Sequence, residues 1–253
     1  AGWAVAAMDG WYGPQWQERP SLVGIMSVAR QGDPIAEAPL LQVVDDPTQP
    51  AIIRATAIEL ASQYGAQGLA MMANSLGDGS PLVRASALRG LAALSPAQKF
   101  PLIEPSLADP VRGVRIEAAR ALVDVPRSQF SDSQWQQFES GLAEYEAAQL
   151  AQADHPEGYI NLGSLYAVMG RVEEAETAYR TAIARDRTFL PAHNNLANLY
   201  YQTGRRAEAE DTFRQALEWV QQPGSLYYSL GLLQVEDQRL EEAAANFAQA
   251  AEL

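Results

Sequence analysis

The sequence predicts an all-α protein built as an α-solenoid of stacked helical pairs. Alanine, leucine, glutamate and glutamine dominate the 253 residues, which favours helix from end to end. A set of small and aromatic residues recurs every 34 positions in the C-terminal part. An Asp, Ile/Val-Arg, Ala register recurs every 30 or 31 positions in the N-terminal part. Repeats of such length are single helical hairpins that bury their apolar faces only against neighbours, so a stack follows.

The longer period begins with Leu162-Gly163, Tyr166, Gly170, Ala175, Tyr179 and Ala182. It returns as Leu196-Ala197, Tyr200, Gly204, Ala209, Phe213 and Ala216, then as Leu230-Gly231, Gln234, Gln238, Ala243, Phe247 and Ala250. The small residues let two antiparallel helices approach closely. The aromatics Tyr179, Phe213 and Phe247 are expected to fill the gap between one unit and the next. Gly170 and Gly204 suit helix ends that need a positive φ, and Gln238 departs from this pattern. The whole pattern resembles the tetratricopeptide repeat and divides 156–253 into three units, 156–189, 190–223 and 224–253.

In the shorter period, Asp46-Pro47 precedes Ile53-Arg54-Ala55-Thr56-Ala57, Asp78 precedes Val83-Arg84-Ala85-Ser86-Ala87, and Asp109-Pro110 precedes Val114-Arg115-Ile116-Glu117-Ala118. This resembles HEAT-like repeats over 33–125, with each Asp expected to cap a helix start and the alanines to face a neighbouring helix. Arg54, Arg84 and Arg115 each fall within reach of an Asp, which predicts an Asp–Arg ladder. The alternative, arginines on a concave face that holds DNA, is opposed by the formal net charge of −13.

Between the arrays, 126–155 reads as a linker and a long connecting helix. Val125-Pro126 breaks the helical pattern, and Ser131 with Gln134 forms a possible capping box. Trp135, Phe138, Leu142 and Tyr145 then lie on one face of a helix expected over 131–153. Residues 1–32 fit neither repeat. Their Trp3, Trp11, Tyr12 and Trp16 suggest an aromatic cap over the apolar edge of the first repeat, or a surface for a partner or cofactor outside this chain.

Several chemistries are disfavoured. The absence of cysteine excludes disulfides, thiolate zinc sites and covalent haem attachment within the chain. The two histidines, His155 and His193, are too few for a metal or acid–base centre, so no metal or cofactor is expected. Glu173-Glu174 and Glu241-Glu242 occupy equivalent helix starts, where they complement the helix dipole instead of forming a catalytic dyad. No Gly-x-Ser-x-Gly elbow occurs, and Gly77-Asp78-Gly79 lacks the Gly-Lys-Ser/Thr of a phosphate loop. The expected protein is not an enzyme, binds no nucleic acid and inserts into no membrane.

The order of the segments adds a second resemblance. A short aromatic stretch ending in Trp11-Tyr12-Gly13-Pro14, followed by HEAT-like units, a long helix and tetratricopeptide units, resembles the C-terminal region of bacterial multihaem cytochrome c-type proteins. It implies an accessory domain of a periplasmic electron-transfer protein; without it, a cytoplasmic location is the reading. No haem-attachment motif is present, so no haem ligand transfers to this chain. The N-terminal residues carry no intact signal peptide, and the chain reads as a piece of a longer protein.

The tetratricopeptide resemblance also implies where a partner binds. Places 2, 5, 6, 9, 12 and 13 of each unit line a concave face, which puts Asn161 and Asn195 at place 6 and Ser229 third. Asn194, Asn198, Tyr201 and Tyr228 flank them. Asparagine amides donate and accept at once, as the backbone of an extended peptide requires. The same amides could instead satisfy neighbouring helices or water. Ile160, Asn194 and Ser225 stand where a carboxylate clamp would place cations, so an acidic C-terminal peptide is not expected. The partner is a protein or peptide, with a basic segment suiting the acidic array. The apolar C-terminal end is a further surface, for self-association.

Overall fold

The computed structural model describes residues 21–151 and 154–252, and these contain fourteen α-helices and no strand. The chain divides into two compact units, Ala1–Gly141 and Leu142–Leu253. The expected aromatic cap with Trp3, Trp11, Tyr12 and Trp16 lies outside the described residues; residues 22–30 of that segment are helical.

The first unit contains α1 (Leu22–Arg30), α2 (Glu37–Asp45), α3 (Ala51–Ala61), α4 (Gly65–Ser75), α5 (Pro81–Leu91), α6 (Pro96–Ile103) and α7 (Arg112–Ala121). Helices α3, α5 and α7 stack in that order and carry the repeating register. Ala57, Ala87 and Ala118 are fully buried at spacings of 30 and 31, joined by Ile58, Val83, Leu88 and Val114. The alanines therefore do what the period implied: they remove side-chain bulk where one first helix meets the next. Gly68 on α4 is a closer case still, because a Cβ there would lie 1.8 Å from the Ala61 carbonyl oxygen.

The aspartates play a different part from the expected helix cap. Residues Pro50, Ser80 and Val111 hold the cap positions, and none makes a side-chain capping bond. Instead Asp46, Asp78 and Asp109 accept the backbone N–H of Thr48, Ser80 and Val111 at 2.8–2.9 Å, folding the turn that leads into each helix. Their remaining carboxylate capacity takes arginines. Arg54 bonds Asp78, and Arg84 clasps Asp109 through Nε and Nη2 at 2.8 and 2.9 Å. Arg84 and Arg115 also donate to the backbone carbonyls of Asp78 and Asp109, each at 2.8 Å. The ladder thus ties Arg84 and Arg115 to the turn before their own helix, Arg54 to the end of α2 through the Val44 carbonyl, and Arg54 and Arg84 to the next turn. Burial raises the Asp109 carboxyl, but Arg84, the Val111 N–H and Arg115 together outweigh it and hold the group below its ordinary range.

Helix α8 (Asp132–Leu150) spans the division between the units. Its start is the expected capping box: Gln134 N–H donates to Ser131 Oγ at 3.3 Å, and Ser131 N–H donates to Gln134 Oε1 at 2.8 Å. Phe130 meets Phe100, Trp135 and Phe138 with ring centroids 4.8–5.3 Å apart, an aromatic cluster within the first unit.

The second unit holds three helical pairs, α9 (Pro156–Val168) with α10 (Val172–Arg185), α11 (Leu190–Gln202) with α12 (Arg206–Leu217), and α13 (Gly224–Glu236) with α14 (Leu240–Glu252). Short connections make the partners of each pair antiparallel. Tyr179 and Phe247 lie over the glycines of their own pairs: a Cβ on Gly163 or Gly231 would sit 2.4 or 2.5 Å from the ring. The aromatics therefore fill the space inside a pair, although Tyr179 also joins the core that includes Leu196 and Ala197 of the next.

Each pair turns through a residue of positive φ: Gly170 (71°), Gly204 (79°) and Gln238 (61°). The third position adopts the left-handed conformation despite carrying a side chain, at a cost of about 1 kcal/mol. Gln238→Gly is accordingly expected to raise the stability of the second unit by about 0.5–1 kcal/mol, measurable as a higher urea midpoint with an unchanged slope.

Candidate functional site

The first helices α9, α11 and α13 are set by a polar ladder running between pairs. Glu176 on α10 accepts from Tyr200 at 2.9 Å and from Arg205 at 2.6 Å. Glu210 on α12 accepts from Gln234 at 3.1 Å and from Arg239 at 2.8 Å, one repeat further on. Tyr166 donates likewise to Glu146 on α8 at 3.1 Å, with Arg171 3.8 Å from the same carboxylate. Arg239 chiefly holds the Glu210 carboxyl below its ordinary value. At Glu176, burial opposes the shift, but Arg205 and Tyr200 prevail. The rungs fix how far each first helix is rotated against the pair before it. Glu174 and Glu242, read from sequence as dipole partners, also bond Arg171 and Arg239 at 2.9 and 2.8 Å.

Helices α11 and α13 border a groove of about 170 Å³. Ala197, Phe213 and Leu233 give it apolar walls, while Asn198, Ser229 and Glu236 supply polar groups. Tyr201 lines it as well and donates its hydroxyl hydrogen to Glu236. Leu232, 46% exposed, extends the apolar surface, and Tyr228 and Val235 are open on the same helix at 54% and 42%. These three side chains follow at i, i+4 and i+7, so they form one stripe along α13.

Of the residues expected to bind a partner, Asn198 and Tyr201 come together in this groove. Tyr228 stands on α13 with its ring 5.6 Å from Phe247. Asn194 and Asn195 are half-buried on α11 and do not line the groove. Asn161 is exposed, and its amide donates to Gln149 Oε1 at 2.9 Å, so a neighbouring helix already uses part of its capacity. Sequence reasoning missed Leu232, Leu233, Phe213 and Glu236. The signal was present, since α13 carries Leu226, Leu230 and Leu233 on one face and Tyr228, Leu232 and Val235 on the other, and a helix apolar on every side needs a partner on each.

Comparison with known proteins bears on this unit. A family model described as tetratricopeptide repeat matches residues 169–231, from the end of α9 to the middle of α13. The second unit carries tetratricopeptide-type helical repeats. Thirty-four chains among solved structures match the protein. One is described as the crystal structure of MamA, with 17% identity over 74% of this chain and 86% of that chain and a TM-score of 0.37. No curated protein matches.

Proposed function

We propose that the chain is a non-catalytic scaffold that binds an extended, basic segment of a partner protein along the first helices of its tetratricopeptide repeats. The groove between α11 and α13 carries this reading, because it joins exposed apolar side chains to amide, hydroxyl and carboxylate groups on one face. That mixture suits a peptide, whose backbone needs polar partners while its side chains need apolar seats.

Charge supports the basic character of the segment. Residues 142–253 carry eight arginines, no lysine and seventeen carboxylates, a net of −9. Six of the arginines pair with carboxylates, and Arg185 and Arg187 lie over Tyr159 and Trp219. No cation lines the groove, and Glu236 is its one charged side chain. Glu236 has Arg206 3.7 Å away, but the carboxylate excess of the unit as a whole still draws an incoming Lys or Arg and speeds encounter at low salt. The first unit we read as HEAT-like repeats that serve as a structural support, since Arg54, Arg84 and Arg115 are engaged by neighbouring turns and by the end of α2.

Peptides selected from a random library on the whole chain are expected to be enriched in Lys/Arg and in apolar residues. Leu232→Asp combined with Asn198→Ala should weaken their binding at least about tenfold, as expected for losing a central apolar contact and an amide bond. Circular dichroism should remain that of the parent. Alanine at both Asn161 and Asn195 tests whether the binding face extends along α9. Selected peptides that are acidic, or that bind the Leu232 variant equally well, would remove the reading.

A further inference from the structure

The groove between α11 and α13 has a size that limits what it seats. Its volume of about 170 Å³ lies below the ~300 Å³ at which sites for whole small molecules begin. Ala197, Phe213, Leu232 and Leu233 line room for one apolar side chain. Asn198 stands beside that seat with an amide that is largely unused. Its Oδ1 accepts from Gln202 at 3.4 Å, and its Nδ2 has no acceptor among the described residues.

Spacing along α13 says what else the occupant carries. Tyr228, Leu232 and Glu236 follow at i, i+4 and i+8, so each lies about 6 Å further along the helix axis. An extended chain rises about 3.3 Å per residue and turns alternate side chains to one side, so its same-side residues recur about every 6.6 Å. The two repeats stay in step over three positions. A helical ligand matches the spacing as well, through its own i+4 positions. Its backbone groups are bonded within the helix, however, and leave the Asn198 amide without a partner.

Glu236, at the end of this series, is half engaged. Its Oε2 accepts the Tyr201 hydroxyl hydrogen and lies 3.7 Å from Arg206, which is itself bonded to Asp237. Oε1 has no donor among the described residues. Two carboxylates against one guanidinium leave this cluster with one negative charge. The Glu236 side chain is 47% exposed, so by itself it holds no free cation. A cation tethered two residues from a seated anchor is a different case, because the anchor raises its effective concentration at the carboxylate.

We infer, building on the peptide reading of this face, that the groove selects an extended motif in which Lys or Arg stands two residues from an apolar anchor. The anchor packs against Leu232 and Phe213, the backbone between them meets the Asn198 amide, and the cation meets Glu236 Oε1. A further apolar residue, two positions to the other side of the anchor, meets Tyr228. The seat supplies most of the affinity, and Glu236 determines the specificity.

Peptides selected from a random library on the full chain should carry Lys or Arg two positions from an apolar residue. A synthetic peptide of that consensus should bind about fivefold more tightly than versions with alanine for the cation, or with the cation moved to four positions. Glu236→Gln keeps an acceptor for Tyr201 and removes the charge, so the ratio of parent to alanine peptide should fall to about one while both still bind. Selection on Glu236→Lys should enrich Asp or Glu at the same position. A preference for the cation that persists in Glu236→Gln overturns the inference. Enrichment at a spacing of three or four, the register of a helical ligand, overturns it too. In both cases Leu232→Asp still weakens binding, and the peptide reading stands. If no peptide binds, or the Leu232 variant binds equally well, that reading fails and the motif fails with it.

Discussion

Arg84→Ala is expected to destabilise the first unit by about 3–5 kcal/mol, the range for removing one partner from a buried ion pair. Both partners are nearly enclosed, with side chains 13% and 10% exposed, and the guanidinium grips both oxygens of Asp109. Its loss leaves the carboxylate with the Val111 N–H and the weaker attraction of Arg115, and strips the Asp78 carbonyl of a donor. Arg84→Lys should recover less than half of the deficit, because a point charge cannot replace the two-pronged contact. Arg89→Ala is the internal control. That side chain is 39% exposed and pairs with Glu59 and Glu117 at the surface, so its removal should cost under about 1 kcal/mol. Guanidinium unfolding followed by circular dichroism distinguishes these cases. Equal effects at Arg84 and Arg89 would mean that the ladder is ornament on a unit held by its alanine core.

The second large effect concerns the second unit. Gly163→Val should destabilise it by about 3 kcal/mol, at the upper end of overpacking costs. The first added carbon would stand 2.4 Å from Tyr179 Cε1 and 2.9 Å from Cζ, so the ring cannot avoid it by a small rotation. Moving the ring also breaks its hydroxyl bond to Ser164, 3.2 Å long, and disturbs the core shared with Leu196. Gly163→Ala should cost less, since the middle pair already holds Ala197 buried with Phe213 at the equivalent places. Gly113→Ala on α7, where a Cβ meets nothing within 4 Å, should be neutral or slightly stabilising. Thermal midpoints of the three variants give the order directly.

Much of the architecture was legible because its constraints are volumes at fixed spacing. Gly163, Ala197 and Gly231 recur every 34 residues since each lies where two helices touch, and Ala57, Ala87 and Ala118 recur for the same reason. The arginines of the first unit were legible too, because their carboxylate partners sit in the same register. The part played by the aspartates was not. A carboxylate two residues before a backbone N–H folds a turn as readily as it caps a helix, and the sequence Asp-Pro or Asp-Gly permits both.

The polar ladder of the second unit escaped notice for a different reason. Glu176 and Glu210 receive bonds from residues 24 and 29 positions away, and the first donor is a tyrosine in one case and a glutamine in the other. Chemistry repeats there while residue type does not. The binding face was only half legible. Counting places along a helix identified Asn198 and Tyr201, but could not show that Asn194 and Asn195 are half-covered or that Gln149 takes the Asn161 amide. Attention to amides also drew the reading away from Leu232 and Glu236, which supply the apolar seat and the charge. The resemblance to a periplasmic cytochrome parent rests on segment order, and its aromatic stretch Trp11-Tyr12-Gly13-Pro14 lies outside the described residues.

The central claim is that partners are held on the face formed by α11 and α13. Chemical-shift mapping of a selected basic peptide onto the full chain tests it most directly. The predicted perturbations centre on Asn198, Tyr201, Ser229, Leu232 and Glu236, with smaller ones at Tyr228 and Val235. Perturbations confined to α10 and α12, or spread over the first unit around Arg54 and Arg84, would contradict it.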